Sequence, residues 1–141
     1  MKAREVMTSN PECVTRDATL AQAAKIMRDV DSGFVPVVDD RNSMRVSGVI
    51  TDRDIAIRHV ADDHQNTCRV ADHMSASVRS VRPDDDVKDV MDVMKREQIR
   101  RVVVVEDDRL VGVIAQADLA TRDVGDRKVG DTVEKISEPT R

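Results

Sequence analysis

The chain states nearly the same pattern twice. Residues 48–55 read G-V-I-T-D-R-D-I and residues 112–119 read G-V-I-A-Q-A-D-L, 64 positions later. Upstream, A-A-K-I-M (Ala23 to Met27) recurs as V-M-D-V-M (Val90 to Met94), 67 positions apart. Each is followed by a β-rich run, F-V-P-V-V from Phe34 and V-V-V-V from Val102. The leaders also match, with V-M-T at Val6 to Thr8 and H-M-S at His73 to Ser75. The fall in offset from 67 to 64 places a three-residue insertion around Asp40 to Arg45, between the two strands of the first copy. A period this long means a duplicated supersecondary unit, and neither copy buries enough apolar surface to be more than marginal alone.

Periodicity supplies the elements of each copy. In the first, Cys13 to Thr15 is extended, and an Asp17/Thr19 cap opens a helix with Leu20, Ala23, Ala24, Met27 and Val30 on one face. Gly33 is expected to stop it. Strands follow at Phe34 to Val38 and Arg45 to Thr51 around the polar turn D-D-R-N-S, then a helix from Asp52 to about Val60. In the second, Ser80 to Val81 is extended and Pro83 to Asp86 caps a helix to about Glu97. Strands at Arg101 to Val105 and Leu110 to Ala115 flank the turn E-D-D-R, and a helix begins at Gln116. Residues 61–69 read as a polar linker and 124–141 as a charged tail with one short helix and then disorder. The division is residues 1–63, 64–123 and 124–141.

Composition excludes several functions. A net charge of −4 argues against nucleic-acid binding, which needs a basic face. One Phe and no Tyr or Trp leave no stacking platform for single strands. No apolar stretch reaches the roughly 18 residues of a membrane span and no signal peptide opens the chain, so the expected location is cytoplasmic. No Ser-His-Asp or Cys-His arrangement, Walker loop or H-E-x-x-H is present, and no enzyme is expected. His59, His64 and His73, with Cys68, invite a zinc reading. Their irregular spacing without a Cys-x-x-Cys pair points instead to surface histidines and no metal. Cys13 and Cys68 read as small, buried or half-buried thiols rather than a disulfide or metal pair. Asp84-Asp85-Asp86 reads as a helix start, and Met27, Met91 and Met94 as core or dimer surface.

The order β-α-β-β-α, the leader V-M-T, the strand F-V-P-V-V-D and the signature G-V-I-T-D-R-D-I resemble a CBS domain, and their duplication over residues 3–122 resembles a CBS pair, or Bateman module. The resemblance implies an α/β (α+β) fold with two repeats packed about a pseudo-twofold axis, and commonly a homodimer. It implies clefts between the repeats for AMP, ADP, ATP or S-adenosylmethionine, a regulatory ligand rather than a required cofactor. Asp54, in a first helical turn, can accept two hydrogen bonds from a ribose cis-diol, and Thr51 offers a hydroxyl beside it. By resemblance, Asp54 is the ribose-binding acid and Thr51 its partner. Arg100 and Arg101, just before the inner strand of the other repeat, are the phosphate cations. Val49 and Val102 are the candidate aliphatic walls for the base. Arg53 has three open assignments: a neighbouring carboxylate, a phosphate or a dimer partner.

The second cleft departs from this pattern. It keeps Asp118, but Ala115 replaces the hydroxyl residue and Gly33 and Phe34 stand where cations would be. Each loss weakens a phosphate ligand by about 1 kcal/mol or more, so one competent and one weak site per chain are expected. Two functions follow. One is a ligand sensor that signals to an unidentified protein partner. The other is a structural or stress-related interaction protein with no nucleotide.

Overall fold

Local hydrogen bonds set the ends of the helices in the computed structural model, which describes residues 1–61 and 68–121. Thr19 is extended and caps helix α2 (Leu20–Val30): its hydroxyl accepts from Gln22 N–H at 3.2 Å, while the Gln22 side chain accepts from Thr19 N–H at 2.8 Å. Asp86 caps helix α4 (Val87–Glu97) by accepting from Lys88 N–H at 2.9 Å. Thus the acidic run is a helix start, as its sequence suggests. The stop of α2 is not Gly33. Asp31 takes the left-handed conformation at φ 53°, and Gln98 does the same after α4 at φ 53°. The short polar side chain of Asp31 tolerates that region, so the helix ends at Val30, three residues before the glycine.

Two sheets form, giving the mixed α/β class expected. One carries β2 (Val14–Thr15), β3 (Phe34–Val38) and β4 (Val46–Thr51) in the order β2-β3-β4, with β2 parallel and β4 antiparallel to β3. The other has the order β1-β7-β6-β5, from β1 (Thr8–Ser9), β5 (Ser80–Val81), β6 (Arg101–Glu106) and β7 (Arg109–Ala115). Pro36 sits buried in the central strand of the first sheet, where a missing N–H would normally break a ladder. It is tolerated because its partner Val49 directs both backbone groups to Ser75, at 2.9 Å each, and β2 begins only opposite Val37. The connections explain the change in repeat offset. β6 and β7 meet through Asp107 and Asp108, both at positive φ, a two-residue hairpin. The longer β3–β4 turn is organised by Asp40, whose carboxylate accepts from Asn42 N–H, Ser43 N–H and the Ser43 hydroxyl at 2.7–3.0 Å.

The chain resolves into two compact units that cut across the sequence repeats. Among the described residues, one holds 1–11, 79–107 and 111–121, the other 12–61, 68–78 and 108–110. Each unit therefore takes its leader from the other repeat. In the first, Thr8 pairs with Val113 and Met7 lies against Gly112. In the second, Ser75 bridges Val49 and Met74 lies against Gly48. The equivalent turns also match: α1 (Ala3–Val6) in one unit, a 3-10 turn (Val70–Asp72) in the other. The cores correspond in the same way. Val6, Val90, Met91, Met94, Val102, Val104 and Ile114 cluster in the first unit, and Leu20, Ala23, Met27, Val35, Ile50 and Val70 in the second. The three methionines in question are core residues. The expected tail at 124–141 and His64 lie outside the described residues.

Candidate functional site

Strand β4 ends at Thr51, whose extended backbone (φ −119°, ψ 162°) turns the chain into helix α3 (Asp52–Asp54). Thr51 and Asp54 close a reciprocal cap. The Thr51 hydroxyl accepts from Asp54 N–H at 3.1 Å and the Asp54 carboxylate accepts from Thr51 N–H at 3.0 Å. Both side chains are half-buried, so a carboxylate and a hydroxyl are held in fixed relation at a strand end. Val49 shares their strand face by alternation and is 9% exposed. Arg53 is exposed.

The other unit repeats this geometry with one arm missing. Asp118, in helix α5 (Gln116–Thr121), accepts from Ala115 N–H at 2.7 Å, but alanine offers no hydroxyl in return. Arg100 C=O accepts from Gln116 N–H at 2.8 Å, and Gly33 C=O accepts from Asp52 N–H at 2.9 Å. These matching bonds make Gly33 the counterpart of Arg100. A side chain at Gly33 would meet the Asp52 carboxylate, so an acid stands near that position where the other repeat offers a guanidinium. Phe34, beside it, is half-buried. Arg100 is exposed and Arg101 half-buried at the start of β6. Val102, expected as a wall for a base, is 1% exposed within its unit's core cluster, on the same face as Val104.

Two features were missed by sequence reasoning. The first is an open groove of about 500 Å³ in the unit of residues 12–78, lined in part by Asp17, Lys25, Arg41 and Arg69. Arg69 donates to Asp17 C=O at 2.6 Å and Arg41 to Cys13 C=O at 3.3 Å. The Thr15 hydroxyl, at 2.5 Å, together with Asp17's own N–H and Arg69, holds the Asp17 carboxyl below its ordinary range. No motif signals this groove, because its cations come from three separated segments.

The second feature corrects the reading of the histidines. His59 and His73 are not on the surface: they are 2% and 6% exposed. Their rings meet edge to face with centroids 5.3 Å apart, and the donor atoms of His59, Cys68 and His73 lie within 4.8 Å of one another. The inward turn of His59 is set by a π-helical segment (Ile55–Val60) that continues α3. Irregular sequence spacing concealed this convergence.

Neither cysteine is in a disulfide; Cys13 is buried and Cys68 half-buried. Burial pushes the Cys13 thiol up, against an opposing pull from Arg41. A raised value keeps the protonated, unreactive form dominant at neutral pH. Native protein at pH 7.5 is therefore expected to leave Cys13 unmodified by iodoacetamide while urea-unfolded protein is alkylated there, read by peptide mass spectrometry.

The CBS domain profile matches residues 3–59 and 70–125. Hypoxic response protein 1 of Mycobacterium tuberculosis is 33% identical over 138 residues, covering 97% of this chain and 94% of that protein. A crystal structure of Hypoxic Response Protein I with two coordinated zinc ions superposes with a TM-score of 0.77 at 32% identity, over 86% of this chain and 98% of that one. The CBS domain pair of protein MJ0100, in complex with 5-methylthioadenosine and S-adenosyl-L-methionine, gives a TM-score of 0.73 at 26% identity, over 85% of this chain and 93% of that one.

Proposed function

The chain belongs to the CBS domain family as a tandem pair, and from that premise we propose that it is a non-catalytic regulatory module for an adenosyl ligand. Asp54 accepts the ribose hydroxyls, Thr51 supplies its hydroxyl, and Val49 lies against the base. Arg100 and Arg101 meet phosphate when the ligand carries it. The Ala115/Asp118 counterpart is the weaker site. The observation that carries this reading is the Thr51–Asp54 pair, a carboxylate and a hydroxyl locked together at 3.0 and 3.1 Å where β4 ends. The adenosyl ligands of the MJ0100 pair support the ligand class. Binding changes the affinity for a partner protein by no more than the ligand's differential affinity for two states of the module. We place the module in the cytoplasm as a homodimer; among the described residues no helix is long and apolar enough to cross a membrane.

Thermal melting with AMP, ADP, ATP, NAD, 5-methylthioadenosine and S-adenosylmethionine tests this. A ligand at about a hundredfold excess over its Kd adds about 2.7 kcal/mol, a rise of roughly 5–10 °C for a domain of this size. Asp54→Asn keeps an oxygen for the Thr51 cap while removing the charge, and the ligand-induced rise should disappear. Arg100→Ala with Arg101→Ala should weaken phosphate-bearing ligands and spare 5-methylthioadenosine. No shift with any ligand would sink this reading. It would favour the alternative, a structural or stress-related interaction protein that works without a nucleotide.

A further inference from the structure

We propose that His59, Cys68 and His73 form a zinc(II) site within the unit of residues 12–78. The first argument is the choice of side chain turned inward. Along the π-helical segment, Ile57 is 51% exposed and Val60 65% exposed, whereas His59 between them is 2% exposed. Burial by hydrophobicity alone would do the reverse, since isoleucine and valine are the residues that gain most from leaving water. π-helical turns are concentrated at functional sites. Here the unusual winding coincides with the inward imidazole.

The duplicated fold provides an internal comparison for the second ligand. His73 follows the Val70–Asp72 turn, and the leader offset of 67 residues makes Val6 its counterpart. Val6 is 1% exposed in an apolar core, so the fold at this position accepts an aliphatic residue. An imidazole there has a chemical purpose that the scaffold does not require.

The donor set selects the metal. One thiolate and two imidazoles suit zinc, a borderline-soft ion, and not magnesium or calcium, which take oxygen. Zinc bonds of about 2.0–2.3 Å in a tetrahedron put donor atoms roughly 3.3–3.6 Å apart. The observed spread of up to 4.8 Å closes to that by side-chain rotation of about 1 Å. Three protein donors leave the fourth position to water or another small donor. The metal ties the segment ending at Val60 to the start of the second repeat's leader, and so stabilises the unit as a clamp.

The test uses metal-stripped full-length protein without nucleotide, so it stands or falls apart from the adenosyl reading. Cobalt(II) is the spectroscopic probe and zinc chloride the thermodynamic one. The expected result is one cobalt per chain with a thiolate-to-cobalt charge-transfer band, absent in Cys68→Ser. Zinc should also raise the melting temperature by several degrees where magnesium does not. His73→Val, copying the residue at position 6, is expected to fold and to lose the zinc-induced rise. The proposal is overturned if wild-type protein shows no thiolate-to-cobalt band, or if His73→Val and Cys68→Ser take up zinc as wild type does.

Discussion

Ile50→Ala is expected to lower the free energy of unfolding by about 3 kcal/mol and the melting temperature by roughly 10 °C or more. Ile50 is 0% exposed on β4 and packs in the core cluster with Leu20, Val35 and Val37. Removing its outer carbons forfeits their transfer from water and leaves a cavity that a close-packed interior only partly refills. The loss is a large share of a total that for domains of this kind is about 5–15 kcal/mol. Ile57→Ala is the control. That side chain is 51% exposed, and its removal should change stability by no more than about 0.5 kcal/mol. Urea unfolding followed by far-ultraviolet circular dichroism measures both. A loss below about 1 kcal/mol at Ile50 would contradict the packing described.

Gly48→Ala is the second large effect, at about 2–3 kcal/mol. The added carbon would stand 2.6 Å from the Ser75 carbonyl oxygen and 2.9 Å from Met74 Sδ. That carbonyl is backbone and accepts from Val49 N–H at 2.9 Å, so it cannot retreat without weakening the bridge that joins leader to strand. The cost is steric rather than conformational, because no glycine of the described residues has positive φ. Gly112→Ala gives the comparison. There the nearest atoms all belong to the Met7 side chain, which can rotate away, and the loss should stay near about 1 kcal/mol. Equal effects from the two substitutions in thermal melts would show that the Ser75 backbone does not constrain Gly48.

The G-V-I signature thus has a structural reason at its first letter. Glycine leaves the notch into which the leader methionine fits, Met74 on Gly48 and Met7 on Gly112. The sequence displays both halves of this fit as repeated motifs. It does not display which half meets which. A leader and a signature strand recur in each repeat, and either pairing satisfies the local pattern. Only the long-range pairs, Thr8 with Val113 and Ser75 with Val49, decide that each leader serves the other repeat's strand.

The candidate site divides along the same line. Thr51 and Asp54 are three residues apart and bond to each other, so their association was legible from a strand end followed by an acid in the first helical turn. Gly33 as the counterpart of Arg100 was legible from the repeat and is matched by equivalent backbone bonds to Asp52 and Gln116. Val102 was harder to place. A run of valines carries no alternation to mark its two faces, and Val102 packs in the core. The histidines were read as surface residues because their spacing is irregular and no Cys-x-x-Cys pair accompanies them. Their burial depends on the π-helical winding of Ile55–Val60 and on the Val70–Asp72 turn before His73, two separate segments whose approach no local pattern marks.

What the sequence by itself determined was the duplication, the order of helices and strands, the caps at Thr19 and Asp86, and the inequality of the two signatures. Each rests on hydrogen bonds spanning two to four residues or on the periodicity of a single element. Tertiary structure alone decided the exchange of leaders, the notch at Gly48, and the gathering of His59, Cys68 and His73. Those depend on backbone winding and on contacts between separate segments of the chain, whose free energy is realised only when the whole unit closes.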